Sequence, residues 1–145
     1  RSYSQFLASD LRPFQAGIQA GAGCVLVSHN IVECMDDEKP ASLSREVHRV
    51  LREELGFNGV IMTDDLVMEA ITGAYGTAEA AVLAVKAGND MLCCSDYKTQ
   101  IPAVITAVES GKISEEQINK SVLRVLLWKH ALGLMETGPE EEETK

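Results

Sequence analysis

The stretch from Gly59 to Met68, Gly-Val-Ile-Met-Thr-Asp-Asp-Leu-Val-Met, restricts the fold more than any other part of the chain. A short uncharged run bounded by turn residues is typical of a strand buried on both faces, as in parallel sheets covered by helices. Two carboxylates, Asp64 and Asp65, follow this run directly. Enzymes built on parallel sheets and barrels place their chemistry at the carboxyl ends of the strands. The stretch therefore predicts an α/β fold with a candidate site at these two aspartates.

Side chains alternate along a strand, and this alternation gives the two aspartates different surroundings. One face carries Val60, Met62 and Asp64, and the other face carries Ile61, Thr63 and Asp65. We interpret Asp64 as the residue that faces a barrel interior or a cleft and does the chemistry, and Asp65 as the cap of the following helix. Because aspartate is common at helix N termini for capping alone, a purely structural role for both residues is the alternative.

Helix and strand signals alternate along the rest of the chain. They predict helices over residues 11–20, 44–55, 77–87, 98–110 and 114–132, and strands over 24–29, 59–65 and 90–95. A Ser-Glu-Glu-Gln capping box opens the last helix at Ser114. Strand, helix and strand at intervals of about thirty residues are typical of right-handed βαβ units in a parallel sheet. The predicted fold class is therefore α/β, with three parallel strands and flanking helices.

The three predicted strands end in polar residues: His29, Asp64 and the pair Ser95–Asp96. Because the ends of parallel neighbours lie on one rim, we expect a histidine and carboxylates to converge there. His29 also fits a loop histidine that is hydrogen-bonded to the backbone, and Asp96 also fits a helix cap. Each of these structural alternatives stays open at the level of the sequence.

Charge and cysteine usage argue against several functional classes. The 145 residues carry a formal net charge of −9 without a basic stripe, which argues against binding to nucleic acid or to anionic membranes. We find no apolar run of membrane-spanning length. The sequence lacks a Cys-x-x-Cys motif, a histidine pair at helical spacing and a glycine-rich phosphate loop, so we expect no metal and no cofactor. The four cysteines do not form a disulfide framework, which favours a cytoplasmic location.

Several blocks of the chain form a recognisable pattern. They are Pro13-Phe14, Gly21-Ala-Gly-Cys-Val-Leu-Val-Ser-His29, Pro40-Ala-Ser-Leu-Ser44, the block from Leu51 to Met68, and Ala84-Val-Lys-Ala-Gly-Asn-Asp-Met91. Together they resemble the second half of the catalytic barrel of glycoside hydrolase family 3, over about residues 8–134. The resemblance implies the C-terminal portion of a (β/α)₈ barrel over residues 1–134. An acidic tail over residues 135–145 follows it, and we expect this tail to be disordered.

In this resemblance Asp64 matches the nucleophile of a retaining glycosidase. A tryptophan typically follows the nucleophile in the β-glucosidase branch, whereas Asp65-Leu66 is similar to the β-N-acetylhexosaminidase branch. The resemblance implies a covalent glycosyl-enzyme on Asp64, with His29 and Met68 lining the sugar pocket; without the family, Met68 reads as ordinary core filling. The implied substrate is a carbohydrate with a terminal N-acetylglucosamine, including peptidoglycan fragments in cell-wall turnover.

One part of the implied machinery is missing from the sequence. In the similar hexosaminidases the acid/base is a histidine paired with an aspartate on a Gly-His-Gly-Asp type loop, and neither His48 nor His130 matches it. We therefore interpret the chain as a fragment whose acid/base lies upstream of Arg1. We expect it to be inactive alone and to associate with itself or with the missing N-terminal half. The alternatives are a β-glucosidase or other exo-glycosidase of the same family, or a non-catalytic truncated α/β module.

Overall fold

The structure is a computed structural model that describes residues 1–135. The acidic tail and its predicted disorder lie outside these residues, apart from Met135. The described part contains seven α-helices, two strands, one 3₁₀ turn and one π-helical turn. In chain order these are α1 (Tyr3–Ala8), α2 (Arg12–Gln19), β1 (Cys24–Val27), the 3₁₀ turn (Ala41–Leu43), α3 (Arg45–Arg49), the π turn (Val50–Glu54), β2 (Val60–Thr63), α4 (Glu69–Tyr75), α5 (Thr77–Ala87), α6 (Tyr97–Glu109) and α7 (Glu115–Ala131).

The two strands pair in parallel, as predicted. The register sets Cys24 opposite Val60 and ends with Val27 opposite Thr63. Gly59 precedes β2 at a point where no side chain fits, because a Cβ there would lie 2.5 Å from the Gly23 carbonyl oxygen. This close approach allows the Val60 N–H to donate to that same oxygen at 3.0 Å, which starts the ladder.

The prediction of a third strand over residues 90–95 is wrong in its extent. The segment lies beside β2 and parallel to it, but within the described residues it forms a single bridge, between Met62 and Met91. Two residues further on, the Cys93 N–H donates to the Thr63 side-chain oxygen at 3.0 Å. Because a side-chain acceptor takes the place of a backbone carbonyl, the regular ladder stops there. The segment therefore runs parallel to β2, as predicted, but it does not form a regular strand.

Helices cover one face of this sheet and leave the other face open. The covered face buries four strand residues: Val25, Val27, Ile61 and Thr63. On the opposite face Leu26 is 50% exposed, and Met62, its partner in the register, is half-buried. Val60, at the start of β2, is buried as well. The predicted alternation therefore holds over residues 61–63, and Asp64 continues the open face.

The capping box predicted at the start of α7 forms only in part. Ser114 accepts the Gln117 N–H at 3.2 Å, as a helix cap does. The Gln117 side chain, however, donates to the Val85 carbonyl of α5 at 2.6 Å and does not return to the cap. The Gln117 side chain therefore joins α7 to α5.

A buried carboxylate holds the amino end of β2. The Asp90 side chain is 0% exposed, and one of its oxygens accepts from Arg52 of the π turn and from the Ile61 N–H at 2.9 Å. Its other oxygen accepts from Ser121 at 2.8 Å and from Arg124 at 3.1 Å, both on α7. Every oxygen of this carboxylate is therefore paired. The cluster lies at the end of β2 that is opposite to the two aspartates of the candidate site.

His48 is a buried titratable group on α3. The residue is 3% exposed and packs against Gly88, whose φ of +119° ends α5. Its Nδ1–H donates to the Ser44 carbonyl at 2.7 Å, while its Nε2 has no hydrogen-bond partner among residues 1–135. Burial lowers the pKa of His48, because the charged imidazolium is poorly solvated in the core.

We expect the protein to lose stability as the pH falls below about 6.5, the ordinary pKa of histidine. The unfolded chain then binds a proton at His48 that the folded protein does not bind, since the pKa is lowered by folding. The free energy of unfolding should fall by up to about 1.4 kcal/mol per pH unit until the pH reaches the folded-state pKa. Urea denaturation over this pH range measures the slope. His48→Gln should flatten it, and the exposed His130→Gln should not; equal slopes for both variants would contradict the assignment.

Candidate active site

The carboxyl ends of the three parallel segments meet at one rim. The His29 ring, which follows β1, donates from Nε2 to the Asp65 carbonyl at 3.0 Å. Ser95, from the third segment, donates its N–H to one Asp65 carboxylate oxygen at 3.3 Å and its hydroxyl to the other oxygen. The predicted convergence of these strand ends is therefore confirmed. Asp65 is the residue that the contacts share.

Asp64 presents a free carboxylate oxygen at this rim. Its N–H donates to the Val27 carbonyl at 3.1 Å, which ties its backbone to β1. Its Oδ1 accepts the Asp65 N–H at 2.8 Å, while its Oδ2 has no hydrogen-bond partner in the described part of the chain. The residue is half-buried and continues the open face of the sheet. A carboxylate held through one oxygen and free at the other can act as a nucleophile, a base or a ligand.

The Asp65 carboxylate, in contrast, is engaged within the protein. Besides its bonds from Ser95, it accepts the Val67 N–H at 3.2 Å. The hydrogen bond from the Ser95 hydroxyl is the main cause that holds the pKa of Asp65 below its ordinary value. The prediction that Asp65 caps the next helix is wrong, because α4 begins at Glu69 with Met68 as its N-cap. Asp65 stabilises the turn between β2 and α4 instead.

His29 is hydrogen-bonded at both ring nitrogens. A carbonyl oxygen only accepts, so the bond from Nε2 to Asp65 requires a proton on Nε2. Nδ1 lies 2.7 Å from the Ser42 hydroxyl, which donates to it when the ring is neutral. The hydrogen bond to backbone that the sequence left as an alternative is therefore present. It joins His29 to the turn that carries Asp64.

Two further side chains lie exposed at the rim. Met68 is 46% exposed, and its N–H donates to the Asp65 carbonyl at 3.2 Å. Cys93, in the third segment, is exposed as well. Desolvation, followed by the charges of Asp65 and Asp64, raises the pKa of the Cys93 thiol, so this thiol is neutral beside two carboxylates. Sequence reasoning missed Cys93 at the site, although its place at the end of the third segment was a usable signal.

The rim offers no arrangement that we recognise as a metal centre. Among residues 1–135, no group of three or more histidine, cysteine, aspartate or glutamate side chains is placed to hold a metal ion. Asp96 occupies the N-cap position of α6, but its side chain makes no capping hydrogen bond. Separately, none of the helices within the described range is both long and apolar enough to cross a membrane.

Comparison with known proteins places the chain in a family. Residues 1–127 match the family model described as the glycosyl hydrolase family 3 N-terminal domain. The chain belongs to glycosyl hydrolase family 3. The matched range contains the whole of the rim, from His29 of the first segment to Ser95 of the third.

Proteins named β-hexosaminidase are among its relatives. The protein of Tolumonas auensis is 34% identical over 118 residues, which are 81% of this chain and 35% of that protein. The protein of Xanthomonas campestris pv. campestris is 34% identical over 133 residues, which are 92% of this chain and 38% of that protein. The chain therefore spans little more than a third of the length of these two relatives.

Solved structures share the fold, among them one described as a glycoside hydrolase family 3 protein. The β-N-acetylglucosaminidase of Paenibacillus sp. str. FPU-7 matches with a TM-score of 0.88 and 36% identity, over 99% of this chain and 29% of that chain. The β-N-acetylhexosaminidase of Beutenbergia cavernae matches with a TM-score of 0.77 and 32% identity, over 84% of this chain and 38% of that chain. The predicted α/β fold, as part of the family 3 barrel, is therefore confirmed.

Proposed function

We propose that this chain supplies the nucleophile of a retaining β-N-acetylhexosaminidase. The observation that carries the proposal is the Asp64 carboxylate at the carboxyl end of β2, with one oxygen held by the Asp65 N–H and the other without a partner among residues 1–135. Family membership, and relatives named β-hexosaminidase and β-N-acetylglucosaminidase, support the reaction class. The proposed substrates are glycosides with a terminal N-acetylglucosamine, including peptidoglycan fragments.

In the proposed reaction Asp64 Oδ2 attacks the anomeric carbon of the sugar. A bond forms between that oxygen and the carbon while the bond to the leaving oxygen breaks, and a general acid protonates the leaving oxygen. Water then hydrolyses the glycosyl ester, gives a proton to the same acid/base group and frees the Asp64 carboxylate. The ionised carboxylate stabilises the positive charge that develops on the sugar ring.

We further propose that His29 and Met68 border the sugar site. Met68 offers an exposed apolar side chain on the turn that Asp65 stabilises. Both ring nitrogens of His29 are engaged by Ser42 and Asp65. In this proposal His29 holds the backbone of the rim through its hydrogen bond to the Asp65 carbonyl. The sugar then contacts the carbon atoms of the imidazole ring.

The general acid is proposed to come from residues outside this sequence. His48 is buried in the core, and both nitrogens of His29 are occupied. His130 lies in the last turn of α7, close to Trp128, whose side chain meets Gly23 at the amino end of β1. That end of the sheet is opposite to the rim with Asp64. The three histidines of this chain therefore leave the acid role unfilled.

An unpaired edge of β1 and an exposed side chain on α7 support the proposal that further polypeptide completes the barrel. The Gly23 and Val27 carbonyls accept bonds from β2, so the backbone groups of Cys24 and Leu26 point to the other edge of β1. No strand of residues 1–135 pairs with that edge. On α7, Leu127 is 60% exposed. We propose that the N-terminal part of the same barrel covers these surfaces in a longer polypeptide, and that the chain self-associates without it.

We expect the purified chain alone not to hydrolyse a chromogenic N-acetylglucosaminide. The general acid contributes about 10²–10⁴ to the rate, and an open barrel leaves the sugar site incomplete. Mixing the chain with a separately produced N-terminal half should restore measurable turnover, since the open edges are complementary. Size-exclusion chromatography should show self-association of the chain and its loss on mixing. Robust turnover by a monomer of this chain would overturn the proposal.

A substrate panel on the longer polypeptide tests the sugar preference. We expect the N-acetylglucosaminide to be hydrolysed faster than the matched β-glucoside with the same leaving group. A preference for the β-glucoside would instead indicate the other exo-glycosidase specificity of the family and would leave the role of Asp64 intact. The configuration of the first sugar product, followed by NMR, should be β, because a covalent intermediate gives net retention.

A further inference from the structure

A buried polar contact connects the core to the turn that carries Asp64. Ser42, in the 3₁₀ turn, is 0% exposed. Its N–H donates to the Ser28 carbonyl at 3.1 Å, and its carbonyl accepts from the Asn89 side chain at 2.8 Å. Its hydroxyl lies 2.7 Å from His29 Nδ1. Because its backbone is fixed on both sides, Ser42 is a rigid support for the His29 ring.

The backbone of Asp65 connects the His29 ring to the proposed nucleophile, Asp64. Its carbonyl accepts from His29 Nε2 at 3.0 Å, and its own N–H donates to Asp64 Oδ1 at 2.8 Å. These two groups belong to the two peptide units on either side of the Asp65 Cα, so one residue links the imidazole to the carboxylate. This link gives the His29 ring a route to Asp64 through the backbone of Asp65.

We propose that Ser42 is a positioning residue for Asp64, which acts through the His29 ring and the Asp65 backbone. This inference rests on the proposed role of Asp64 as the nucleophile. The Ser42 hydroxyl donates to Nδ1, which leaves the ring proton on Nε2, where the Asp65 carbonyl accepts it. Without that donor, Nδ1 is an unpaired acceptor in a half-buried place, and the ring gains freedom to turn away from the carbonyl.

The chain offers a closely matched control for this inference. Ser44 lies two residues further on and is also 0% exposed. Its hydroxyl accepts the Val47 N–H at 3.3 Å and caps α3, without a contact to His29. Ser42→Ala and Ser44→Ala therefore remove the same atom from equally buried serines, and only the first removes a partner of the imidazole.

The experiment measures both variants in the longer polypeptide. Ser42→Ala should lower kcat by about 10- to 100-fold with KM within about threefold, because a displaced nucleophile slows the chemical step. Ser44→Ala should lower the melting temperature through its lost cap and keep kcat within about twofold. Ser42→Cys, which keeps the volume but donates weakly, should also lower kcat, and it covers the case in which Ser42→Ala does not fold.

Two further readouts separate positioning from ordinary stability. The Ser42→Ala/His29→Ala double variant should lose no more kcat than His29→Ala alone, because both changes act on one path. The ¹⁵N resonance of His29 Nδ1, assigned by comparison with His29→Gln, should shift in Ser42→Ala and stay in place in Ser44→Ala. Additive losses, an unmoved Nδ1 resonance, or equal kcat in the two serine variants would overturn the inference. If Asp64→Asn retained full turnover, the proposed nucleophile itself would fail, which is a separate result.

Discussion

Asp64→Asn in the longer polypeptide should reduce kcat/KM for an N-acetylglucosaminide by on the order of 10⁴–10⁶ while leaving the fold intact. The amide has the same shape, and its oxygen can still accept the Asp65 N–H that now binds Asp64 Oδ1 at 2.8 Å. It cannot form the glycosyl ester, and it carries no charge to stabilise the developing cation. Steady-state kinetics, with circular dichroism to confirm the fold, measure the effect.

Asp65→Asn is the matched control for this prediction. Its carboxylate is occupied by Ser95 and by the Val67 N–H, so its loss should act on the turn and cost about 1 kcal/mol of stability. The effect on kcat/KM should be far smaller than that of Asp64→Asn. A larger loss of kcat/KM in Asp65→Asn than in Asp64→Asn would show that the alternation of side chains along β2 does not identify the nucleophile. Loss of Asp64 without any effect would favour the non-catalytic module.

A second variant tests the covalent step directly. Asp64→Gly removes the carboxylate and opens space beside the anomeric carbon. With an activated leaving group that needs no protonation, added azide should restore turnover by attacking from the vacated side. The nitrogen forms a bond to the anomeric carbon as the leaving group departs with its electron pair, so the product should be the α-glycosyl azide. A β-azide, or no azide product, would contradict attack from the position of Asp64.

Asp90→Asn should destabilise the protein by about 3–5 kcal/mol, the usual cost of removing one partner from a buried ion pair. The carboxylate is 0% exposed, and Arg52 keeps 18% exposure beside it. Without the charge, the largely buried Arg52 is left without a carboxylate, and Arg124 on α7 loses its ion-pair partner. The amide keeps only one acceptor oxygen, so either the Ile61 N–H at the start of β2 or the donors from α7 lose their acceptor as well. The midpoint of urea denaturation measures the change.

Asp37→Asn controls for the simple loss of one negative charge. Asp37 is exposed in the loop between β1 and the 3₁₀ turn. Its substitution should change the free energy of unfolding by less than about 0.5 kcal/mol, as is usual at the surface. Similar midpoints for both variants would show that the Asp90 cluster contributes little to stability. The cluster lies at the end of β2 away from the rim. A milder variant such as Asp90→Glu should therefore lower the free energy of unfolding more than it lowers the turnover of the longer polypeptide.

The sequence was sufficient for the local structure around the site. The apolar run over residues 60–63 predicted a parallel strand, because its length and its bounding turns fit few other structures. Alternation along the run placed Asp64 on the same face as Met62, and the structure shows this alternation of burial at Ile61, Met62 and Thr63. The helix predicted from residue 44 onward begins there, with Ser44 as the N-cap of α3. These properties depend on residues close in sequence, which is why a sequence pattern determines them.

Tertiary structure alone decided which partners the polar side chains have. Asp65 binds Ser95, thirty residues away, and His29 binds Ser42, thirteen residues away. Asp90 pairs with Arg52 and Arg124 across 38 and 34 residues. In the third segment, the Cys93 N–H likewise donates to the side-chain oxygen of Thr63, thirty residues away, in place of a regular backbone ladder. Alternation fixes the side of a strand from which a side chain leaves, but the donor or acceptor that meets it arrives from a distant element, and only the packing of those elements brings the two together.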